Sequence, residues 1–348
     1  MRIGDDAVPQ IGQGSTFGGK KYPDNAEVKL RVLEYGLEHG LNLIDTGEYY
    51  EGGVAEETIG KFIKGRRSKI FISDKFKASN NSYLKVIKSC EDSLKRLQTD
   101  YIDLYQIQWS NPEVPLAETL GALNALKEAG KIRHIGVCNF TFNEFKATDA
   151  VSIQTEYNLQ NRQIEDNLLP YCKRYSKTLI GYNIFNQGFI GSVTYLVPIA
   201  TKYNKSVYQI ILAWAISKGI LVLTNTMSLD HLKENIEATQ LKLDKEDIDL
   251  IDKTYNPPQL VDVSRIKVVT ETVDNAHKVY TTLQEVVENA DKIHPSPHIL
   301  AGEIRKNGLL KPIELKQIDG GYLLIHGSAR FWAWQLVYEN KPIPAFII

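Results

Sequence analysis

Eight short runs of mainly β-branched residues alternate with stretches of helical periodicity between Gln10 and about Tyr255, and this alternation constrains the fold more than any other feature. Strand–helix units of about 30 residues predict parallel strands joined by right-handed crossovers. Eight such units predict an α/β fold of the (β/α)₈ TIM barrel type. The predicted strands are Gln10–Gly14, Leu41–Asp45, Ile70–Ser73, Ile102–Ile107, His134–Val137, Ser152–Gln154, Leu179–Tyr182 and Ile220–Leu223.

A doubly wound sheet is the alternative arrangement of alternating strands and helices. Such a sheet would place Gly-x-Gly-x-x-Gly between a long apolar strand and a helix. The glycines at Gly12, Gly14, Gly18 and Gly19 have a different spacing and follow only a short run. The barrel is therefore the favoured prediction.

The periodicity changes after Tyr255, where Asn256-Pro257-Pro258 interrupts the chain. We predict a barrel domain over residues 1–256, a linker over 257–261 and a small α+β domain over 262–348. In the second domain the sequence predicts a helix that ends at Gly308, a hairpin turn at Asp319-Gly320-Gly321 and a helix that begins within 327–330. Three aromatic residues in this last helix, Phe331, Trp332 and Trp334, are predicted core residues.

Charge and composition narrow the class of partner. Lys and Arg number 41 and Asp and Glu 42, so a net charge of −1 gives no global attraction to nucleic acid or anionic lipid. No apolar run is long enough to span a membrane, and no signal-peptide pattern is present, so we expect a cytoplasmic protein. The three cysteines lie far apart, and the prolines around His294 and His298 argue against a metal pair there, so no metal site is expected.

Polar residues at the carboxyl ends of the predicted strands are the candidates for chemistry, because barrel active sites lie there. Asp45 ends the second strand, Tyr50 follows it, Lys75 follows the third and Gln108 the fourth. An ammonium beside a phenol would stabilise the phenolate and make the phenol a usable acid, and a carboxylate would keep that ammonium charged. This set predicts proton donation to a carbonyl oxygen while a hydride reaches the carbon.

The sequence resembles the aldo-keto reductase family over about residues 1–256. The matching stretches, in the family's order and spacing, are Gly12–Gly19, Ile44–Tyr50, Ser73–Lys75, Tyr101–Gln108, Gly136–Phe140 and Leu232–Asn235. The resemblance implies a nicotinamide cofactor extended across the barrel mouth, with Asp45, Tyr50 and Lys75 as three of four catalytic residues and Tyr50 as the acid. It implies that Asn139 and Gln154 bind the carboxamide and that Tyr182 stacks on the nicotinamide. The other implied cofactor-binding residues are Gly14, Ser15, Thr16, Asn225, Thr226, His231, Glu234 and Asn235.

Two positions depart from the family pattern. Gln108 stands where the family has its catalytic histidine, and an amide can orient a carbonyl but cannot change charge near neutral pH. Asn225 and His231 stand where the family often has Lys and Arg, so the choice between NADP(H) and NAD(H) stays open. A strong preference for NADPH would require a cation from elsewhere, and Lys233 is the nearest in sequence.

The second domain resembles the ParB/sulfiredoxin-like superfamily over about residues 262–348. The resemblance lies in Leu300–Gly308, Lys311–Glu314 and Tyr322–Arg330. The turn of Gly327, Ser328 and Arg330 leads a strand into a helix N-terminus, which can hold a phosphate. A nucleotide or phosphorylated ligand is the expected partner, and DNA is the less favoured alternative.

Two functions follow from these observations. The leading one is an NAD(P)H-dependent reductase of a small carbonyl compound, with sugar-like compounds among the candidate substrates, and with the appended domain binding a nucleotide or phosphate. The alternative is a weakly active cofactor-sensing binding protein whose second domain binds nucleotide or nucleic acid.

Overall fold

The computed structural model of the protein comprises two compact units, Met1–Lys253 and Thr254–Ile348. It describes residues 1–17, 24–186, 194–254, 259–269, 280–289, 296–307 and 312–347. The division between the units falls close to the boundary that the proline pair predicts.

The first unit opens with a hairpin that the sequence did not predict. Its two short strands, β1 (Arg2–Ile3) and β2 (Asp6–Ala7), pair antiparallel. Ile3 and Val8 are buried in one cluster with Leu43, Leu104 and Leu221 from the barrel strands. Burial of these apolar side chains attaches the hairpin to the barrel.

Eight parallel strands in the described part of the chain close a barrel, which confirms the predicted (β/α)₈ fold. Closure comes from pairing of the last strand with the first, Val222 opposite Ile11. Every backbone N–H and C=O in the ring therefore has a neighbouring strand, and no edge is exposed. The strands are β3 (Ile11–Gly14), β4 (Leu43–Asp45), β5 (Phe71–Phe76), β6 (Ile102–Ile107), β7 (Ile132–Cys138), β8 (Ser152–Glu156), β9 (Thr178–Tyr182) and β10 (Leu221–Thr224).

Helices pack their apolar faces on the outside of the barrel. A continuous core of strand and helix residues, including Ile44, Ile72, Leu94 and Leu123, lies between the two layers. The helices of this unit are α1 (Asp24–Glu38), α2 (Val54–Ile63), α3 (Tyr83–Leu97), α4 (Leu116–Glu128), α5 (Phe142–Lys146), α6 (Leu168–Arg174), α7 (Val197–Tyr203), α8 (Val207–Ser217), α9 (Leu229–Ala238) and α10 (Lys245–Lys253).

The second unit is built on a mixed five-stranded sheet. The strands are β11 (Gln259–Val261), β12 (Ile266–Lys267), β13 (Ile313–Ile318), β14 (Gly321–His326) and β15 (Ile343–Ile347), in the order β11-β15-β13-β14-β12. The helices are α11 (Leu283–Glu288), α12 (Pro297–Asn307) and α13 (Ser328–Tyr338). The predicted linker 257–261 is wrong in part, because residues 259–261 pair antiparallel with β15 and belong to the sheet.

The local predictions for the second unit fare differently. The hairpin turn is confirmed: β13 and β14 pair antiparallel, and Gly320 at their turn has φ of +75°. Phe331 and Trp332 are buried and Trp334 is half-buried, while His294 lies outside the described residues.

Within the described part of the chain, no helix has the length and apolar character needed to cross a membrane.

Close packing of α2 on α3 yields a stability prediction. A Cβ at Gly60 would lie 2.8 Å from the Leu97 carbonyl carbon, which is backbone and cannot rotate away. A Cβ at Gly121 in α4 would have only one neighbour, the Tyr83 ring at 4.0 Å. We expect Gly60→Ala to lower the free energy of unfolding by about 1–3 kcal/mol and Gly121→Ala to raise it by about 0.4–1 kcal/mol. Urea denaturation, followed through the unfolding transition of the barrel, would measure both changes in the free energy of unfolding. Equal changes in the two variants would contradict the packing argument.

Candidate active site

A cavity of about 540 Å³ opens at the carboxyl ends of the barrel strands. Each of the eight strands contributes a lining residue, six of them from the last position or the loop that follows, while Lys75 and Gln154 lie one and two residues before the ends of β5 and β8. These residues are Gly14, Asp45, Lys75, Gln108, Cys138, Gln154, Tyr182 and Thr224. Parallel closure of the barrel thus brings together side chains that are far apart in sequence.

A buried ion pair lies at the base of this cavity. Lys75 Nζ is 2.5 Å from Asp45 Oδ2 and donates also to the Thr46 carbonyl oxygen at 2.7 Å. Asp45 Oδ1 accepts from Ser73 Oγ at 2.8 Å and from Gln154 Nε2 at 2.9 Å. Burial is the largest single effect on the Lys75 pKa and lowers it, but the Asp45 carboxylate, together with Tyr49 and Cys138, leaves the pKa raised. Lys75 is therefore an ammonium at neutral pH.

Tyr50 lies beside this pair without hydrogen-bonding to it. The Lys75 Nζ atom is 5.1 Å from the centre of the Tyr50 ring, and its hydrogen bonds go to Asp45 and Thr46. Burial raises the pKa of the Tyr50 phenol, and the Asp45 carboxylate acts in the same direction. The Tyr50 pKa is therefore raised and not lowered as expected, because burial has the largest effect on it. Tyr50 is accordingly held in its protonated, proton-donating form.

Tyr49 is a site residue that the sequence reasoning missed. Gln108 Nε2 donates to the Tyr49 hydroxyl, and the Tyr49 and Tyr50 rings meet edge to face with centroids 4.6 Å apart. A hydrogen bond from Tyr49 lowers the pKa of Tyr50, against the larger effect of burial. The sequence feature that could have identified Tyr49 is its position directly before Tyr50. Gln108 thus acts on Tyr50 through Tyr49 in this structure.

The residues expected to bind a nicotinamide line one wall. Asn139 adopts φ of +57°, a left-handed conformation that asparagine tolerates, directly after β7. Its Oδ1 accepts from the Tyr182 hydroxyl at 2.8 Å, and its Nδ2 donates to the Gln108 carbonyl at 3.2 Å. Gln154 Nε2 is held by Asp45. These amides and the Tyr182 ring form a polar wall that suits a nicotinamide ring with its carboxamide.

The opposite wall carries the glycine-rich loop. Gly14, Ser15 and Thr16 all line the cavity. Ser15 Oγ is buried and has no hydrogen-bond partner within the residues that the structure describes. A buried hydroxyl without a partner is costly, so this atom suits a polar ligand group in the cavity. The donor set and this open hydroxyl together fit a dinucleotide.

The five cofactor-binding residues expected between positions 225 and 235 separate into two groups. Asn225 lines the cavity and donates through Nδ2 to Thr16 Oγ1 at 2.7 Å. The other four do not line it: Thr226 is half-buried, His231 is exposed, Glu234 accepts from Ser206 Oγ at 3.3 Å, and Asn235 is buried in α9. Lys233 is paired with Asp230 at 3.0 Å on the exposed face of α9, so the cation expected from it does not reach the cavity.

In the second unit, Gly327, Ser328 and Arg330 meet at the start of α13. Gly327 has φ of +96°, and a Cβ there would lie 2.8 Å from Arg330 Nη2. Arg330 Nη1 donates to the Pro312 carbonyl at the start of β13. One nitrogen of the guanidinium is therefore used within the fold.

Comparison with known proteins agrees with the barrel. Residues 10–256 match the model of the Aldo/keto reductase family, and the chain belongs to that family. It is 32% identical to methylglyoxal reductase YeaE of Escherichia coli, over 74% of this chain and 94% of that protein. It is 30% identical to the glyoxal reductase of Bacillus subtilis, over 66% of this chain and 84% of that protein. An aldo/keto reductase of Klebsiella pneumoniae, solved with NADP and acetate, superposes with a TM-score of 0.70 at 32% identity, over 74% of this chain and 95% of that one.

The Tyr49 contact leads to a test of its role. We expect Tyr49→Phe to slow single-turnover reduction of an aldehyde about tenfold, because one hydrogen bond that stabilises the Tyr50 phenolate is lost. Cofactor affinity should stay within about twofold, since the hydroxyl faces Tyr50 and Gln108. Stopped-flow loss of cofactor absorbance measures the rate. Tyr83→Phe on the exposed face of α3 is the matched control, and equal rates in the two variants would remove Tyr49 from the site.

Proposed function

We propose that this chain is an NADPH-dependent reductase of small aldehydes or ketones. The observation that carries the proposal is the buried Lys75–Asp45 pair beside a protonated Tyr50 at the base of the cavity. The names of its relatives, methylglyoxal reductase and glyoxal reductase, support a small oxoaldehyde as the substrate class. Solved relatives with NADP or NADPH support the phosphorylated cofactor.

Each residue has a distinct task in this proposal. Asn139 and Gln154 would hold the cofactor's carboxamide, Tyr182 would pack on its ring, and Ser15 would bind along its length. When bound, the reduced nicotinamide supplies the hydride that the carbonyl carbon accepts. The cavity residues of this chain hold the carbonyl oxygen and deliver its proton.

Tyr50 is the proposed acid. Its hydroxyl donates to the carbonyl oxygen, and as the carbon gains the hydride the oxygen takes the Tyr50 proton, so that an alcohol and a phenolate result. Lys75 stays charged through Asp45 and lies close enough for its field to stabilise the phenolate. Tyr49 would lower the Tyr50 pKa by donating to the phenol oxygen, and Gln108 donates to the Tyr49 hydroxyl.

Removal of the Tyr50 hydroxyl tests the proposed function. We expect Tyr50→Phe to lower the single-turnover rate with methylglyoxal at least about 100-fold while the NADPH dissociation constant changes less than threefold, because the hydroxyl acts on the substrate oxygen. Rates within threefold of the parent would remove Tyr50 from the mechanism. If the parent keeps its bound NADPH through a panel of aldehydes and keto-sugars, the cofactor-sensing alternative is supported instead.

The second unit is proposed to bind a phosphorylated ligand at Gly327, Ser328 and Arg330. The left-handed Gly327 precedes the first turn of α13, and a helix N-terminus favours an anion. The Arg330 guanidinium packs against Gly327. The ParB/sulfiredoxin-like relationship of this unit remains a prediction from sequence, as does the preference for a nucleotide over DNA.

Calorimetry on the full chain tests this site. We expect ATP to bind with micromolar to millimolar affinity when the barrel is saturated with NADPH, and Arg330→Ala to weaken binding about tenfold through loss of a charged hydrogen bond. Arg305→Ala, an exposed arginine of α12, is the matched control. Salt-sensitive duplex DNA binding without ATP binding would contradict the proposal and favour the nucleic-acid alternative.

A further inference from the structure

Lys29 is a buried cation that the proposed mechanism does not use. It lies on α1, whose outer face is exposed, yet its own side chain is only 1% accessible to solvent. Its Nζ atom donates to Asn225 Oδ1 at 2.5 Å and to the Thr226 carbonyl at 3.1 Å. Both acceptors are neutral. A buried ammonium with neutral acceptors lacks the compensation that a carboxylate gives, so its presence calls for a functional explanation.

The position of Lys29 sets the orientation of the Asn225 amide. Because Oδ1 faces the ammonium, Nδ2 faces the opposite way and donates to Thr16 Oγ1 at the cavity wall. Gly14 leaves room for this arrangement, since a Cβ there would lie 3.1 Å from the Asn225 Cβ. The edge of the cavity therefore presents an N–H donor with a cation directly behind it.

The charged groups around Lys29 are sparse among the described residues. Glu51, which follows β4, raises the Lys29 pKa, but burial has the larger effect and lowers it to about 7. The ionisable residues of the two helices nearest Asn225 exert no resolved effect on it. They are Glu27, Arg31, Glu34, Tyr35 and Glu38 on α1, and Asp230, His231, Lys233, Glu234 and Glu237 on α9.

We propose that Lys29, acting through Asn225, makes this reductase select the 2′-phosphate of NADPH over the 2′-hydroxyl of NADH. The inference rests on the proposed function, since it presumes a dinucleotide in the cavity. Asn225 is then the residue that contacts the phosphate, and Lys29 is a positioning residue that supplies the charge. Lys29 would thus supply the positive charge that the family often has at positions 225 and 231, where this chain has Asn225 and His231.

The selectivity should depend on pH in a defined direction. The ammonium form of Lys29 predominates below pH 7 and is lost as the pH rises, so selectivity for NADPH falls as the pH rises. A 2′-phosphate, with a second pKa of about 6, gains charge as the pH rises and would by itself favour the opposite trend. A bound phosphate also favours the ammonium, so NADPH binding above pH 7 takes up a proton.

Fluorescence titration of NADPH and NADH at pH 6.5 and pH 8.5 tests the proposal. For the parent, the ratio of the NADH to the NADPH dissociation constant should be at least about fivefold larger at pH 6.5 than at pH 8.5. Lys29→Met should lower the ratio at pH 6.5 about tenfold and abolish its fall with pH. Lys29→Arg should keep a high ratio at both pH values, because the guanidinium does not titrate. Lys233→Met, an exposed lysine of α9, is the matched control and should leave both ratios unchanged.

Calorimetry of the parent in two buffers of different ionisation enthalpy gives a second measurement that needs no variant. We expect uptake of a fraction of a proton at pH 7.5 on binding of NADPH and none on binding of NADH. Absence of this difference, or an unchanged ratio in Lys29→Met, would overturn the role of Lys29 and leave the reductase proposal intact. Failure of both cofactors to bind the parent would instead overturn the proposed function.

Discussion

The Asp45 carboxylate is the contact on which the rest of the site depends. Its two oxygens accept from Ser73, Lys75 and Gln154, which stand on two further strands of the barrel. A buried ion pair is weak evidence for stability, because desolvation offsets most of the attraction. Its benefit here is geometric: the carboxylate holds an ammonium and an amide at set positions around one cavity. Removal of Asp45 would leave Lys75 both buried and uncompensated, so the base of the site would lose its charge as well as its shape.

The fold was predictable from sequence because its signals are local and repeated. The run Ile102–Ile107 matches β6 residue for residue, and the turn at Gly320 needs the positive φ that glycine supplies. The misses have a different physical origin. The hairpin β1–β2 has two residues in each strand, too short for a periodic signal, and Gln259–Val261 becomes a strand only through its distant partner β15. Short strands owe their existence to tertiary pairing, which no local pattern records.

The sequence was enough to predict which residues come together at the site. It was not enough to predict which of their atoms form hydrogen bonds. Strand-end positions bring Asp45, Lys75 and Gln108 to one cavity by the rule that governs all such barrels. The partner of Gln108 depends on a rotamer choice between two adjacent tyrosines, and sequence spacing is silent on that choice. The direction of the Tyr50 pKa had the same difficulty, because it depends on how deeply the phenol is buried and on its distance from the Asp45 carboxylate. Distances of a few ångströms decide both questions.

Lys29 and Lys75 show why burial alone does not determine the state of a lysine. Both side chains are almost fully buried on the same barrel, and desolvation opposes the charge of each. Lys75 contacts a carboxylate, which raises its pKa, whereas the acceptors of Lys29 are an amide and a peptide carbonyl, and its pKa falls to about 7. One lysine is thereby a constant charge beside the proposed acid. The other can change charge near neutral pH, and an anion bound at Asn225 would shift it back toward the ammonium. The charge of the acceptor, more than the depth of burial, therefore separates a constant cation from a responsive one.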